Sequence, residues 1–189
     1  MATAGKVKLL DRGVDWIFQN LLESPELLNF ACCGTGDACE GKLLMDCNLA
    51  EALAALPHGP SFRFVDELIS LEPGVEARAT YRVKGAEAFL EGHFPGNPMM
   101  PGVILIEAIA QLGGVVIQTD TKNPKMEDLR LTGVRAAKIL GAALPGQVLE
   151  IRAKVEGRMG GLAQLEGEVT GPYGSLATAR ITLSGTVPV

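Results

Sequence analysis

Glu91-Gly92-His93-Phe94-Pro95-Gly96-Asn97-Pro98-Met99-Met100-Pro101-Gly102-Val103-Ile104-Leu105-Ile106-Glu107-Ala108-Ile109-Ala110-Gln111 changes character at its third proline. Pro95, Pro98 and Pro101 fix φ and remove backbone donors, so residues 93–100 read as a rigid loop. Pro101 suits a helix start. From there Val103, Ile104, Leu105, Ile106, Ala108, Ile109, Ala110 and Leu112 put apolar groups all round the cylinder, the mark of a helix buried on every side. Gly113 and Gly114 weaken that helix, yet the pattern continues toward Thr119.

The stretches on either side read as strands. Residues 62–71 form one, ending at the Glu-Pro-Gly turn of 72–74. In the next, Val75, Ala77, Ala79, Tyr81 and Val83 alternate with charged and polar residues, as in a half-buried antiparallel strand. Beyond the helix comes a less regular strand at 129–140. Leu149 to Val155, Ala163 to Val169 and Ala177 to Leu183 then alternate cleanly, with glycine turns such as 157–161 between them. A wholly apolar helix after two strands and before about four implies an α+β domain, a curved antiparallel sheet wrapped around a central helix.

Towards the N-terminus, residues 48–56 suggest a short helix ending at Pro57, and residues 6–23 an amphipathic helix. Ser24-Pro25 reads as a break and restart, and residues 31–46 as a long loop. The expected organisation is an N-terminal helical arm with a cysteine-containing loop over 1–47 and a main domain over 48–189. Cys32, Cys33, Cys39 and Cys47 match no zinc spacing and read as reduced thiols, so no metal is expected. The net charge of −5 and the lack of a basic, aromatic-laced run set nucleic acid aside as a partner. No stretch reaches eighteen apolar residues and no export signal is legible, so a cytoplasmic protein without a membrane span is expected.

The chemistry lies in the first stretch. A carboxylate at Glu107, amid an apolar helix, must be paired, protonated or at work, because an unpaired buried charge is costly. Gln111, one turn on, is a natural hydrogen-bond partner. His93 supplies a base or acid, and the Gly102 amide is among the first free donors at the positive helix end. Histidine, carboxylic acid and oxyanion donor together suit proton removal beside a carbonyl. Glu107 lies roughly 9 Å along the helix from Pro101, so it need not meet the histidine of its own chain, and a two-fold dimer would bring the two together.

Residues 92–111 closely resemble the signature of the hot-dog-fold 3-hydroxyacyl-[acyl-carrier-protein] dehydratases. Leu56-Pro57-His58 and Phe64-Val65-Asp66 are similar to that family's opening, and the resemblance covers about residues 48–189. It implies a hot-dog fold with His93 as catalytic histidine and Glu107, from the partner subunit, as catalytic carboxylate. Gln111 would orient Glu107, the Gly102 amide would polarise the thioester carbonyl, and the Met99 carbonyl would hold the histidine tautomer. Phe94, Pro95, Gly96, Pro101 and Val103 would line the substrate path. His58 is expected to be structural. Glutamate at 107 looks like the general dehydratase branch, where the dehydratase/isomerase branch usually has aspartate. Gly59-Pro60-Ser61 replaces the family's common Arg-Tyr-Pro, and the N-terminal arm is untypical of its short members.

The implied activity is dehydration of (3R)-3-hydroxyacyl thioesters on acyl-carrier protein to trans-2-enoyl thioesters, without a cofactor. The implied assembly is a homodimer with shared active sites, or a trimer of such dimers. Arg130, Arg135, Lys138, Arg152, Lys154 and Arg158 against Glu150 and Glu156 make residues 129–158 a basic strip that would suit an acidic carrier protein. A hot-dog thioesterase and a non-catalytic acyl-binding or assembly protein are the competing readings.

Overall fold

The computed structural model describes residues 49–54 and 56–188. The expected helix at 6–23, the restart at Ser24-Pro25 and all four cysteines lie outside them. Residues 49–54 are helical (α1). Six strands follow, β1 Glu67–Glu72, β2 Glu76–Arg82, β3 Glu127–Ile139, β4 Val148–Met159, β5 Leu162–Gly171 and β6 Gly174–Thr186, with helices α2 Ala88–Gly92 and α3 Gly102–Gln118 between β2 and β3. They form one antiparallel sheet in the order β1-β2-β4-β5-β6-β3.

The alternation read from sequence decides what faces α3. Ala77, Ala79, Tyr81, Leu149, Ile151, Ala153, Ala163, Leu165, Val169, Ala177, Ala179, Ile181 and Leu183 are all buried, while Arg78, Arg82, Arg152 and Lys154 point outward. So many alanines on the inner face let the helix settle close to the sheet, and α3 packs across β2 to β6. Leu105, Ile109, Leu112 and Val116 are fully enclosed there, each side chain worth about 2 kcal/mol in apolar burial. At the tightest point a Cβ on Gly167 would lie 2.1 Å from Ile109 Cγ2. Gly113, which weakens the helix locally, gains its place by packing where a Cβ would be 3.0 Å from Leu165 Cδ2.

Several boundaries differ from the sequence reading, each for a visible reason. The expected strand at 62–71 begins only at Glu67, because Pro60–Phe62 forms a 3-10 turn and Phe62 and Phe64 bond to the Gln111 side chain instead of a neighbouring strand. Pro101 caps α3 in an extended conformation instead of opening it. β4 runs through Gly157, where a bulge absorbs the irregularity, so the turn shrinks to Gly160-Gly161. The short helix α2 had no clear sequence signal. Nor is α3 covered all round: Val103 is 76% exposed, and Glu107, Gly114 and Gln118, on the same stripe, are only half-buried. The sheet covers the other sides, and this stripe faces out. Among the described residues, no helix is long and apolar enough to cross a membrane.

Candidate active site

His93 follows directly on α2, in the proline-rich loop. That loop is tied down by its own backbone: Met99 N–H donates to the His93 carbonyl (2.9 Å), Asn97 N–H to the Phe94 carbonyl (2.9 Å), and Met100 N–H to the Ala143 carbonyl (2.8 Å). The His93 ring stacks on Phe94, with centroids 4.2 Å apart, and its Nδ1 lies 3.0 Å from the Met99 carbonyl oxygen. A carbonyl only accepts, so Nδ1 carries a hydrogen, and in the neutral tautomer this contact selects the lone pair is on Nε2.

Glu107 projects from the open stripe of α3. Gln111 Nε2 donates to its Oε1 (3.1 Å), and His58 Nε2 approaches the same oxygen at 3.4 Å. No described residue meets Oε2. Gln111 is itself buried and ties the helix to the chain entering β1: its Nε2 donates to the Phe62 carbonyl (2.9 Å), and Phe64 N–H donates to its Oε1 (2.9 Å). Replacing Gln111 by leucine would strand the buried Phe64 amide and the Phe62 carbonyl. A loss of about 2–3 kcal/mol in unfolding free energy is expected by urea denaturation. An unchanged midpoint would mean that residues 62–64 are held by something else.

The Gly102 amide opens α3 with no described acceptor, and Pro101 before it has no N–H to offer. Ile139, at the end of β3, packs over it, so that a Cβ on Gly102 would lie 2.8 Å from Ile139 Cγ1. Of the other residues expected on the substrate path, Phe94 is 53% exposed, Pro95 and Gly96 stand out on the loop, Pro101 is half-buried, and Val103 is the most exposed residue of α3.

Glu107, Gln111 and His58 line an open groove of about 1410 Å³ that runs along α3 to Leu129 and Leu131 of β3. His93 is not among its lining residues. The groove exceeds the usual volume of a small-molecule pocket. At its far end Asp120 pairs with Arg158 (3.2 Å), and both side chains are buried. Burial raises the Asp120 carboxyl, but hydrogen bonds from Asn123 and Lys122 and the Arg158 charge outweigh it and hold the group below the ordinary aspartate value. Among the described residues, no cluster of His, Cys, Asp and Glu is arranged to hold a metal.

Sequence reasoning paired Gln111 with Glu107 but missed two things. One is the bonding of Gln111 to the Phe62–Phe64 segment, which no local pattern signals. The other is His58, expected to be merely structural, whose ring stands beside Glu107; its place just before Gly59-Pro60, in a chain with two histidines, was the available hint.

A six-stranded antiparallel sheet curved around one long helix defines the hot-dog class of fold. Solved structures of similar form include the dehydratase heterocomplex ApeI:P from Xenorhabdus doucetiae (TM-score 0.59, 21% identity, 72% of this chain and 90% of that chain). Another is zebra fish thioesterase superfamily member 2 (TM-score 0.54, 18% identity, 71% and 91%). At such identities the likeness concerns fold alone. The sequence goes further, since the FabA-like domain model matches residues 56–171. Similar proteins include the 3-hydroxyacyl-[acyl-carrier-protein] dehydratases FabZ of Chloroflexus aggregans (33% identity, 65% of this chain and 85% of the relative) and Nitratidesulfovibrio vulgaris (32%, 71% and 91%). That of Latilactobacillus sakei is 41% identical over 56% of this chain and 75% of the relative. The chain belongs to the FabA-like family.

Proposed function

We propose that this protein removes water reversibly from (3R)-3-hydroxyacyl thioesters on acyl-carrier protein, giving trans-2-enoyl thioesters in fatty acid or related acyl-chain synthesis. The observation that carries this reading is the preparation of the two groups: His93 with Nδ1 satisfied by Met99 and Nε2 free, and Glu107 held through Oε1 with Oε2 free. His93 Nε2 takes the proton from C2 and Glu107 Oε2 gives its proton to the 3-hydroxyl. The C3–O bond breaks, C2=C3 forms and water leaves. The Gly102 amide stabilises the enolate-like thioester oxygen during the transfer. Exchange with water then returns a proton to Glu107 and removes one from His93.

In this reading the catalyst is a homodimer, or a trimer of such dimers, in which His93 of one copy meets Glu107 of the other. Three features support it: His93 lies off the groove that Glu107 lines, β3 is an edge strand carrying the exposed apolar Val134 and Ile139, and Val103 and Phe94 are bare. A second copy seated there would narrow the groove.

Docking of the acidic carrier protein falls to fewer cations than the sequence suggested. Arg158 is buried against Asp120, and Arg152 pairs with Glu76 (2.9 Å). Arg130, Arg135 and Lys138 on β3 and Lys154 on β4 are exposed and form no ion pair with the described residues. They are the residues we assign to carrier docking.

A thioesterase on the same fold would liberate thiol. The test incubates the protein with a 3-hydroxyacyl and a 2-enoyl thioester and follows enoyl absorbance and free thiol separately. Interconversion of the two without thiol is expected; thiol release with no enoyl change would replace this reading with the thioesterase.

A further inference from the structure

The His58 ring sits between the groove and the chain that enters β1. Its Nε2 is 3.4 Å from Glu107 Oε1, while its Nδ1 is buried without a partner. The ring is held from the side by Phe62, with centroids 6.1 Å apart and planes within 29°, and Phe62 in turn packs edge-on against Phe64 at 4.9 Å. Phe64 N–H and the Phe62 carbonyl are the two backbone groups that Gln111 binds. His58, Phe62, Gln111 and Glu107 therefore form one closed set around a single carboxyl group.

We infer that His58 is a positioning residue for Glu107, acting with Gln111 to pin Oε1 and so reserve Oε2 for the transferred proton. This rests on the dehydratase reading above. The tautomer follows from the surroundings: a hydrogen on Nδ1 would be buried without an acceptor, whereas on Nε2 it faces a carboxyl oxygen. Gln111 Nε2–H is then hydrogen-bonded to Oε1, and His58 Nε2–H stands beside the same oxygen at 3.4 Å, a contact that a small turn of the ring makes a second bond. A proton on that oxygen would face two donors, so the proton of the acid form goes to Oε2, which meets no described residue. With one donor the carboxyl is free to rotate and exchange its oxygens. With a second, from outside the helix, its orientation is set before substrate arrives.

Gln111, which bonds Glu107 from its own helix, is neutral, as is the Phe62 carbonyl that Gln111 also binds. His58 is thus the one ionisable side chain recorded against Glu107 among the described residues. The Gly59-Pro60 pair that follows it starts the 3-10 turn, which fixes where the ring can lie.

The test compares His58→Phe, which keeps an aromatic ring against Phe62 but removes the donor, with His58→Gln, which restores a side-chain N–H. Steady-state hydration of a 2-enoyl thioester is measured for both beside the wild type and Glu107→Gln, with thermal melting to check folding. His58→Phe is expected to lower kcat about ten-fold with KM within about two-fold, and His58→Gln to return kcat to within about three-fold of wild type. Full activity in His58→Phe, or equal losses in both variants, would overturn the positioning role. A wild type that shows no hydration, by contrast, would sink the dehydratase reading itself, so the two failures are distinguishable.

Discussion

His93→Ala and Glu107→Gln should each lower kcat by about 10²–10⁴-fold, the usual contribution of a positioned acid or base, with a folded protein in both cases. The Glu107 substitution is the cleaner of the two. Glutamine has the same shape, and its Oε1 can still accept from Gln111, so the link from α3 to residues 62–64 survives. Only the proton is lost. His93→Ala removes the ring from Phe94 and from the Met99 carbonyl, but the loop keeps its backbone bonds at Asn97, Met99 and Met100. Single-turnover and steady-state rates with a 3-hydroxyacyl thioester measure both losses. Near-normal turnover in either variant would remove that residue from the chemistry.

The second large effect belongs to a backbone group. Gly102 N–H is invisible to side-chain substitution, but its position in the fold allows it to be deleted. Pro101 is extended (φ −56°, ψ 135°), the conformation that a residue before proline prefers, and residue 102 is the first of the helix, where proline is favoured. Gly102→Pro therefore fits the backbone while removing the donor. Gly102→Ala keeps the donor and adds a methyl against Ile139, which measures the cost of bulk alone. A loss of about 10²–10³-fold in kcat for proline beyond that for alanine is expected, as for other oxyanion donors. Equal losses would mean that bulk beside Ile139 accounts for everything and that the amide stabilises nothing.

Much of this architecture is legible in the chain because each element has one dominant cause. Strict alternation placed β2, β4, β5 and β6 and named their buried faces, since a sheet with one covered face leaves a period of two. The all-apolar run after three prolines placed α3. What the chain did not disclose depends on contacts far apart in sequence. Phe62 and Phe64 look like strand residues, yet Gln111, nearly fifty residues on, claims their backbone groups. Arg158 reads as a surface cation until Asp120 is seen to bury it. His58 carries no periodic signal at all, and only the fold sets it against Glu107. The partner that would cover Val103 and the β3 edge leaves its trace in sequence only as the distance along α3 between the helix start and Glu107.

That distance can be tested directly. Co-expression of His93→Ala and Glu107→Gln chains with different tags, followed by purification on both, isolates the mixed dimer. If each site takes its histidine from one copy and its carboxyl group from the other, one of the two sites in that dimer regains both groups, and activity returns to about half that of the wild type. A mixed dimer as inactive as its parents would place His93 and Glu107 within one chain and contradict the shared site.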